Sequence, residues 1–195
     1  MIIVAYYSHK GGLEFLQRQH PYELLEIIEV IKAVDASKAF GAKVSRERTM
    51  PGRKLYSPKE LNRLFAKEFQ KRGWRKERLK VRTEITFWQD LPSVKHSQYR
   101  QRHEGYREMD FVKNKVGVEV QLGKYAFMVY NVAAKMTIFA RQGVIEVGVE
   151  IVPMKRMATQ MSTGVSYFEQ MKSDLEMRGV ADIDIPVLIL GVDDA

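Results

Sequence analysis

The chain has 195 residues, of which 45% are hydrophobic, so it is long enough for one domain with a buried core. The absence of cysteine excludes disulfides and thiolate zinc sites, and no apolar run is long enough for a membrane span. A formal charge of +8 favours a polyanionic partner, although a basic protein without a nucleic-acid role would have the same surplus. The first residues do not resemble a signal peptide, and we therefore expect a single domain over residues 1–195, in the cytoplasm and without membrane contact.

The first part of the sequence predicts a strand followed by two helices. The strand, "MIIVAYYSH", ends in a glycine turn, and an apolar stripe at helical spacing predicts a helix over residues 20–36. The second helix, "SPKELNRLFAKEFQKRG", begins with Ser57 as its N-cap, and Glu60 three residues later is expected to complete a capping box. The polar, basic residues 41–56 between the helices predict a loop.

The middle of the chain is basic and mostly irregular in pattern. Alternation predicts a strand over residues 79–88, whereas residues 89–108, which are rich in Tyr and His, predict a surface loop. Residues 75–107 as a whole are interpreted as a basic insertion or arm of the domain. Such an arm can become ordered on binding a nucleic acid.

From Met109 onward, predicted strands and helices alternate. A helix that is apolar nearly all round and a strand with an uninterrupted apolar run, "IPVLILGV", predict elements that are buried on more than one side. The predicted order is strand–turn–strand over 109–122, helix over 123–143, strand over 144–153, helices over 154–164 and 166–179, and strand over 185–192. This order predicts the α/β class, with a mixed β-sheet flanked by helices.

The stretch "MDFVKNKVGVEVQLGKYAF", residues 109–127, carries acidic residues where a sheet face can bring them together. Glu119 and Gln121 are two apart on a strand and therefore share a face, and the turn-like "KNK" allows Asp110 to fold back beside them. Two carboxylates brought close are unfavourable unless a cation neutralises them, and Mg²⁺ takes one or two carboxylates with phosphate oxygens and water. The pattern predicts a Mg²⁺ site suited to phosphodiester cleavage, in which the Gln121 amide aims the attacking water and the Val120 carbonyl is a further ligand.

The same spacing has a purely structural interpretation. Acidic residues on a strand face are commonly solvated or paired with lysine, and Lys113, Lys115 and Lys124 are all close to the acids in the sequence. The spacing by itself leaves both interpretations open. The four histidines show no metal-ligand spacing, so a histidine metal site is not expected.

Four stretches carry a resemblance to a known family. They are "YSHKGGLEFLQ", "LYSPKELN", "DFVKNKVGVEVQLGKYAF" and "VGVEIVPMKRMATQMSTGVSYFEQ". Together they resemble the BglII/BstYI group of type II restriction endonucleases, which is related to BamHI within the PD-(D/E)xK nuclease superfamily. The resemblance covers most of the chain, is weakest over residues 75–107, and implies a PD-(D/E)xK restriction-endonuclease-like core.

The resemblance also implies roles for individual residues. Asp110 matches the metal-binding aspartate, Glu119 matches the acid beside the metal and the attacking water, and Val120 would contribute its backbone carbonyl. Gln121 stands where most of the superfamily has lysine, a departure that the closer relatives share. Met109 stands where the superfamily pattern has a proline without an obligatory chemical role.

Members of the group are homodimers that cut palindromic duplexes with a central GATC and leave 5′ overhangs. The resemblance therefore implies a homodimeric, Mg²⁺-dependent type II site-specific deoxyribonuclease that acts on double-stranded DNA, with a cognate methyltransferase in the same cell. A two-fold symmetric protein fits a palindromic site, because each active site attacks one strand.

Residues outside the acidic cluster are expected to contact DNA. Lys124, Ser162 and Thr163 match positions that face the bases in the major groove, and ordinary surface polarity is their alternative interpretation. The basic run at 75–82 and the loop arginines Arg100 and Arg102 are expected to hold phosphates, which fixes register without reading sequence.

Two rival functions remain open at this level. One is a sequence-specific DNA-binding protein without catalysis on a nuclease fold, and the other is a repair or structure-selective nuclease. Asp110, Glu119 and Gln121 favour an enzyme over the first rival, and the position of the cut ends would separate the second.

Overall fold

A computed structural model describes residues 1–85, 101–124, 130–178 and 184–194. Eight strands are found in these residues, six of them in one sheet and two in a small second sheet. They are β1 (Ile2–His9), β2 (Phe40–Val44), β3 (Lys54–Tyr56), β4 (Arg75–Ile85), β5 (Gln101–Lys113), β6 (Val116–Val120), β7 (Val147–Pro153) and β8 (Val187–Asp193).

The main sheet is mixed, with the strand order β1-β8-β7-β6-β5-β4. Strands β6, β7 and β8 are parallel to one another. The other pairings, β1 with β8, β5 with β6 and β4 with β5, are antiparallel. The small sheet pairs β2 with β3. The predicted α/β class with a mixed sheet is confirmed.

The described helices cover both faces of the main sheet. They are α1 (Gly12–Gln19), α2 (Pro21–Ala33), α3 (Pro58–Lys71), α4 (Met136–Arg141), α5 (Lys155–Ala158) and α6 (Phe168–Arg178), with a 3-10 turn at Ala36–Ala39 and a π-helical turn at Asn131–Lys135 directly before α4. No helix in the described part of the chain is long and apolar enough to cross a membrane.

Two apolar layers lie on opposite faces of the sheet. One layer packs α1, α2 and α3 against residues such as Val118, Val149 and Leu188. The other packs α4 and α6 against residues such as Val187 and Ile189. Every residue of β8 is buried, and the strand lies between β1 and β7. The prediction that "IPVLILGV" forms a central strand buried on both faces is therefore confirmed.

Two predicted loops contain strands. The segment 41–56 contains most of the β2–β3 pair, and residues 101–108 belong to β5, which is hydrogen-bonded to β4 along most of its length. In this part of β5, Glu104 and Glu108 lie on one face and pair with cations of β4. His103 and Arg107 on the other face are exposed as well, so the sequence lacks the alternation of a half-buried strand. Residues 86–100 of the predicted strand and loop lie outside the described residues.

The helix α3 begins as predicted, but its capping box is incomplete. The hydroxyl of Ser57 accepts from the Glu60 backbone N–H at 3.3 Å, and Pro58 is the first helical residue. The Ser57 backbone N–H donates to the Ala39 carbonyl, and the Glu60 carboxylate accepts from Arg63 instead. The nearby 3-10 turn therefore takes the contact that the capping box would have made.

The other predicted helices are shorter in the structure. The first ends at Ala33, and the helix expected over 154–164 is limited to Lys155–Ala158. Of the helix predicted over 123–143, residues 131–141 are helical and residues 125–129 lie outside the described part of the chain.

Candidate active site

The turn between β5 and β6 brings the acidic residues together. The two strands pair only from Phe111 with Val118 to Lys113 with Val116, and the turn residues Asn114 and Lys115 both adopt positive φ angles, 45° and 66°. The predicted "KNK" turn is thus confirmed. On the N-terminal side of Phe111, β5 separates from β6. Asp110 therefore lies beside the end of β6 without being paired to it.

A β-bulge in β5 sets the direction of Asp110. Arg75 pairs with Val112, whereas Glu77 pairs with Met109, so β5 has one extra residue at this point. In a regular strand Met109 and Phe111 would share a face, but here Met109 packs in the layer of α4 and Phe111 stacks on Phe69 of α3, with ring centroids 4.3 Å apart. Bulges commonly re-aim a side chain beside an active site.

Asp110 faces an open cleft of about 270 Å³. One wall is the exposed side of α3, and the other is the split between β5 and β6. The lining residues are Asn62, Ala66, Gln70, Lys76, Asp110, Phe111 and Val120. Sequence reasoning missed Asn62 and Gln70, although with Ala66 between them they follow the i, i+4, i+8 spacing of one helix side.

Asp110 and Glu119 are joined through the backbone. The backbone N–H of Asp110 donates to Oε1 of Glu119 at 3.3 Å, and the backbone N–H of Val120 donates to Oδ2 of Asp110 at 3.2 Å. Each carboxylate is therefore held at the strand segment that carries the other acid. The Val120 residue, whose carbonyl was predicted as a further ligand, lines the same cleft.

Glu119 is buried and pairs with a lysine from the following helical segment. Nζ of Lys135 lies 2.7 Å from Oε1 of Glu119. Burial, with a further contribution from the charge of Asp110, raises the pKa of Glu119 to about 8, against the opposing effect of Lys135. Burial thus disfavours the charged form of Glu119 even with the lysine in place.

None of the three lysines predicted as alternative partners makes this pair. Lys113 donates to the Glu26 carboxylate at 2.7 Å, Lys115 donates to the Gly143 carbonyl, and Lys124 is exposed. Lys113 and Lys115 therefore hold the β5–β6 turn in place. Lys135 was not identified from the sequence, because its contact depends on how the helix packs on the sheet.

Gln121 shares a face with Glu119, as predicted, and both ends of its amide are bonded within the protein. Oε1 accepts from Nδ2 of Asn131 at 3.3 Å, and Nε2 donates to the Lys124 carbonyl at 3.2 Å. The same Asn131 nitrogen donates to Oε1 of Glu150 at 3.3 Å. Gln121 thus connects the acidic cluster to Lys124.

Glu150 is a further acid of the cluster that sequence reasoning missed. It is fully buried, its Cα is paired with that of Glu119 on the neighbouring parallel strand, and its Oε2 atom has no hydrogen-bond partner in the described residues. Burial, and secondarily the charge of Glu119, raises the pKa of Glu150 well above its ordinary value. The tetrapeptide "VGVE", which occurs in both β6 and β7, was the signal in the sequence that could have identified it.

The residues predicted to face bases lie close together despite their separation in sequence. A β-bridge joins Lys124 to Val165, and the backbone N–H of Ser166 donates to the Gly123 carbonyl at 2.9 Å. Ser162 and Thr163 directly precede this bridge, and Thr163 is held by Glu47, whose Oε2 accepts from its backbone N–H at 3.0 Å and from its hydroxyl at 2.8 Å.

The two predicted phosphate-binding arginines are only partly visible. Arg100 lies outside the described residues, and of Arg102 only the backbone is described, paired with Glu84 in the β4–β5 ladder.

The oxygen donors of the cleft suit a hard divalent cation. The described residues contain no cluster of three or more His, Asp or Glu side chains that could enclose a metal ion. Asp110 and Val120 line the cleft, whereas the Glu119 carboxylate is buried and is not among the lining groups; it adjoins the cleft through its hydrogen bond from the Asp110 backbone N–H. Such a set fits Mg²⁺, which keeps several waters and needs only one or two carboxylates.

The sequence matches the family described as "Restriction endonuclease BglII/BglIII" over residues 4–192. The chain belongs to the BglII/BglIII restriction endonuclease family. It is therefore a type II restriction endonuclease, and the predicted family is confirmed. No curated protein matches the sequence.

Solved structures of this family have the same fold. The chain is similar to "Crystal structure of restriction endonuclease BGLII complexed with DNA 16-mer", with a TM-score of 0.68 and 19% identity, over 98% of this chain and 76% of that one. It is also similar to "Crystal structure of free BglII", with a TM-score of 0.61 and 17% identity, over 100% of this chain and 81% of that one. The predicted restriction-endonuclease-like core is thus confirmed.

Proposed function

We propose that this BglII-family enzyme hydrolyses both strands of a palindromic DNA duplex with a GATC core, in a Mg²⁺-dependent reaction that leaves 5′ overhangs. The observation that carries the catalytic part is the crosswise bonding of Asp110 and Glu119 at the cleft. The GATC core and the overhangs rest on the resemblance of the site-bearing stretches to the BglII/BstYI group.

Asp110, Glu119 and the Val120 carbonyl would hold the Mg²⁺ ion. When bound, the ion supplies Lewis-acid activation of a phosphoryl oxygen and a lowered pKa of coordinated water. Gln121 has an uncharged amide on the Glu119 face. Its oxygen already accepts from Asn131, and its nitrogen already donates to the Lys124 carbonyl. A Gln amide has one further donor and one further acceptor site, which it would use to orient the attacking water.

One face of β4 would hold the DNA backbone. Lys76, Arg78, Lys80 and Arg82 alternate along the strand, which places them on one face at intervals of about 7 Å. Lys76 lines the cleft of Asp110, so this cationic row begins at the proposed scissile phosphate. Of the predicted basic run 75–82, these four residues are the phosphate-binding candidates. A similar structure, that of BglII in complex with a DNA 16-mer, supports DNA as the binding partner.

The four cations of this β4 row outnumber the acidic residues that pair with them. Glu108 accepts from Lys76 at 2.7 Å and from Arg78 at 2.8 Å, and Glu104 pairs with Arg82 at 2.8 Å. Lys80 has no ion pair among the described residues. These exposed pairs contribute little to stability, so the cations remain available to phosphates.

Lys124, Ser162 and Thr163 would read base edges. Their proximity supports this role, since one groove of a duplex can be reached from both segments at once. Lysine can donate to guanine O6 and N7, and hydroxyl groups can serve either kind of edge. Arg100 and Arg102 keep their proposed role as further phosphate contacts.

The enzyme would act as a homodimer, because a palindrome presents two identical scissile phosphates related by a two-fold axis. A cognate methyltransferase in the same cell would protect the host's own sites.

The test is digestion of genomic DNA with Mg²⁺, followed by sequencing of the ends. We expect cleavage at one short palindrome containing GATC, 5′ overhangs, and no cleavage in EDTA. Cutting at junctions or lesions without a common sequence would contradict the proposed specificity. Specific binding without cleavage would contradict the proposed chemistry.

A further inference from the structure

A π-helical turn places two buried polar side chains against the catalytic strand. The turn spans Asn131–Lys135, and the backbone N–H of Met136 donates to the Asn131 carbonyl five residues earlier. Asn131 and Lys135 are four residues apart, so they lie on the same side of the helical segment. Such wide turns are rare and are found mainly at functional sites.

Lys135 acts on the carboxylate oxygen that also contacts Asp110. Oε1 of Glu119 receives Nζ of Lys135 at 2.7 Å and the Asp110 backbone N–H at 3.3 Å. Both Lys135 and Glu119 are buried, at 9% and 3% exposure, so solvent does not compete strongly for this pair. The ammonium group therefore fixes the carboxylate at the point where the two acids meet.

Asn131 contacts Gln121, the next polar side chain after Glu119 on the same face of the strand. Its single amide nitrogen donates both to Oε1 of Gln121 and to Oε1 of Glu150, each at 3.3 Å. Because Gln121 also donates to the Lys124 carbonyl, its amide plane is held from two sides. Asn131 thus ties β6 to β7 through side chains, next to Glu119.

We propose that Lys135 and Asn131 are positioning residues of the active site, Lys135 for the Glu119 carboxylate and Asn131 for the Gln121 amide. Lys135 contacts the Glu119 carboxylate at 2.7 Å and Asn131 contacts the Gln121 amide at 3.3 Å, and neither lines the cleft of Asp110, so each acts through the side chain that it holds. The inference rests on the proposed catalytic role of Asp110 and Glu119.

The first experiment uses the full-length enzyme without metal or DNA. Lys135→Met removes the ammonium group and keeps the length of the side chain, Lys135→Arg keeps the charge, and Lys172→Met is the matched control. Lys172 makes an ion pair of 2.6 Å with Glu176, but on the exposed surface of α6. The measurement is the NMR hydrogen-exchange rate of the Asp110 amide, with a central β8 amide as internal reference.

We expect Lys135→Met to accelerate exchange at Asp110 by about tenfold or more, because a hydrogen bond to a charged group is lost. Lys135→Arg is expected to restore most of the protection, and Lys172→Met to change nothing. The β8 reference separates this local effect from a general loss of stability, which would accelerate both amides. Unchanged exchange at Asp110 in folded Lys135→Met would overturn the proposal for Lys135.

The second experiment separates DNA binding from cleavage. We expect Lys135→Met, and Asn131→Leu as an independent variant, to lower the single-turnover cleavage rate by about a hundredfold, as small misplacements of catalytic groups do. The Kd for the specific duplex, measured in Ca²⁺, is expected to stay at the wild-type value. Equal losses of binding and cleavage would assign these residues a merely structural role.

Failure of this inference differs from failure of the proposed function. If the wild-type enzyme does not cut DNA with Mg²⁺, the proposed function is wrong, yet the exchange experiment still tests whether Lys135 holds Glu119. If Lys135→Met does not fold, Lys135→Gln carries the test, because it keeps a polar side chain and removes the charge: its exchange at Asp110 must be faster and its cleavage slower than in wild type, and wild-type values in both overturn the proposal.

Discussion

The backbone N–H of Asp110 donates to the carboxylate of Glu119 at 3.3 Å, while the Asp110 carboxylate accepts from the residue that follows Glu119, at 3.2 Å. The two acids are thereby fixed to each other through the backbone of β5 and β6. An asparagine or glutamine at these positions keeps an oxygen that can accept from the same backbone N–H, so the amide variants are expected to change chemistry more than fold.

Asp110→Asn is expected to reduce Mg²⁺-dependent cleavage by at least about a hundredfold while specific DNA binding in a gel shift persists. The amide keeps an oxygen that can accept from Val120 but loses the negative charge. Asp174→Asn, at an exposed position of α6, is the control and should cleave normally. Wild-type cleavage by Asp110→Asn would remove the basis for the site.

Lys80→Ala is expected to weaken DNA binding uniformly across sequences and to reduce the slope of log K against log salt by about 1, as loss of one phosphate contact does. Lys80 lies on the cationic face of β4 without an ion pair among the described residues. The measurement is DNA affinity at several salt concentrations. Lys172→Ala removes the same charge from α6 and should leave the slope unchanged; an equal slope in wild type and Lys80→Ala would contradict the proposed backbone contact.

Glu150→Gln is expected to make stability less dependent on pH. Burial raises the pKa of Glu150 above its ordinary 4.5, so the folded protein binds this proton more tightly than the unfolded chain. Its protonated form therefore contributes stability below pH 4.5, and that contribution is lost as pH rises toward the folded-state pKa.

The neutral glutamine does not titrate, so the free energy of unfolding of the variant should rise relative to wild type between pH 4.5 and neutral pH. Urea denaturation at several pH values measures this difference. A difference that stays constant over the range would show that Glu150 has an ordinary pKa.

Ser57→Ala is expected to lower the free energy of unfolding by about 1 kcal/mol, the usual cost of losing a helix N-cap. The Ser57 hydroxyl accepts from the first turn of α3, the helix that lines the cleft. Ser173→Ala, on the exposed side of α6, is the matched control. Equal urea midpoints for the two variants would show that the cap contributes no stability.

Gly12→Ala is expected to destabilise the protein by about 3 kcal/mol, because the new methyl group has no room. A Cβ atom at Gly12 would overlap the backbone carbonyl of Val187 in β8 and lie 2.7 Å from the Leu188 nitrogen. At Gly105 the nearest atoms would be 3.6 Å away, so Gly105→Ala is the control. Thermal denaturation of both variants measures the difference, and a Tm for Gly12→Ala equal to that of the control would contradict the close approach of α1 to β8.

The sequence by itself determined the features that depend on local periodicity and local chemistry. The period of two along a strand placed Glu119 and Gln121 on one face, and the uninterrupted apolar run predicted β8 as a central strand. The Ser57 cap and the turn before β6 follow from residues within a few positions of each other. The quoted stretches were also enough for the family, since one of them includes the β5–β6 hairpin that carries Asp110 and Glu119.

Tertiary structure decided the contacts that join distant segments. The extra residue in β5 that aims Asp110 exists only because β4 pairs with that strand, and Lys135 rather than a nearer lysine meets Glu119 because the helix packs on that side of the sheet. The strand at residues 101–108 was likewise missed, because its charges are balanced by cations of β4 and not by neighbours in the sequence. Such pairings are set by the packing of whole elements, which no local pattern encodes.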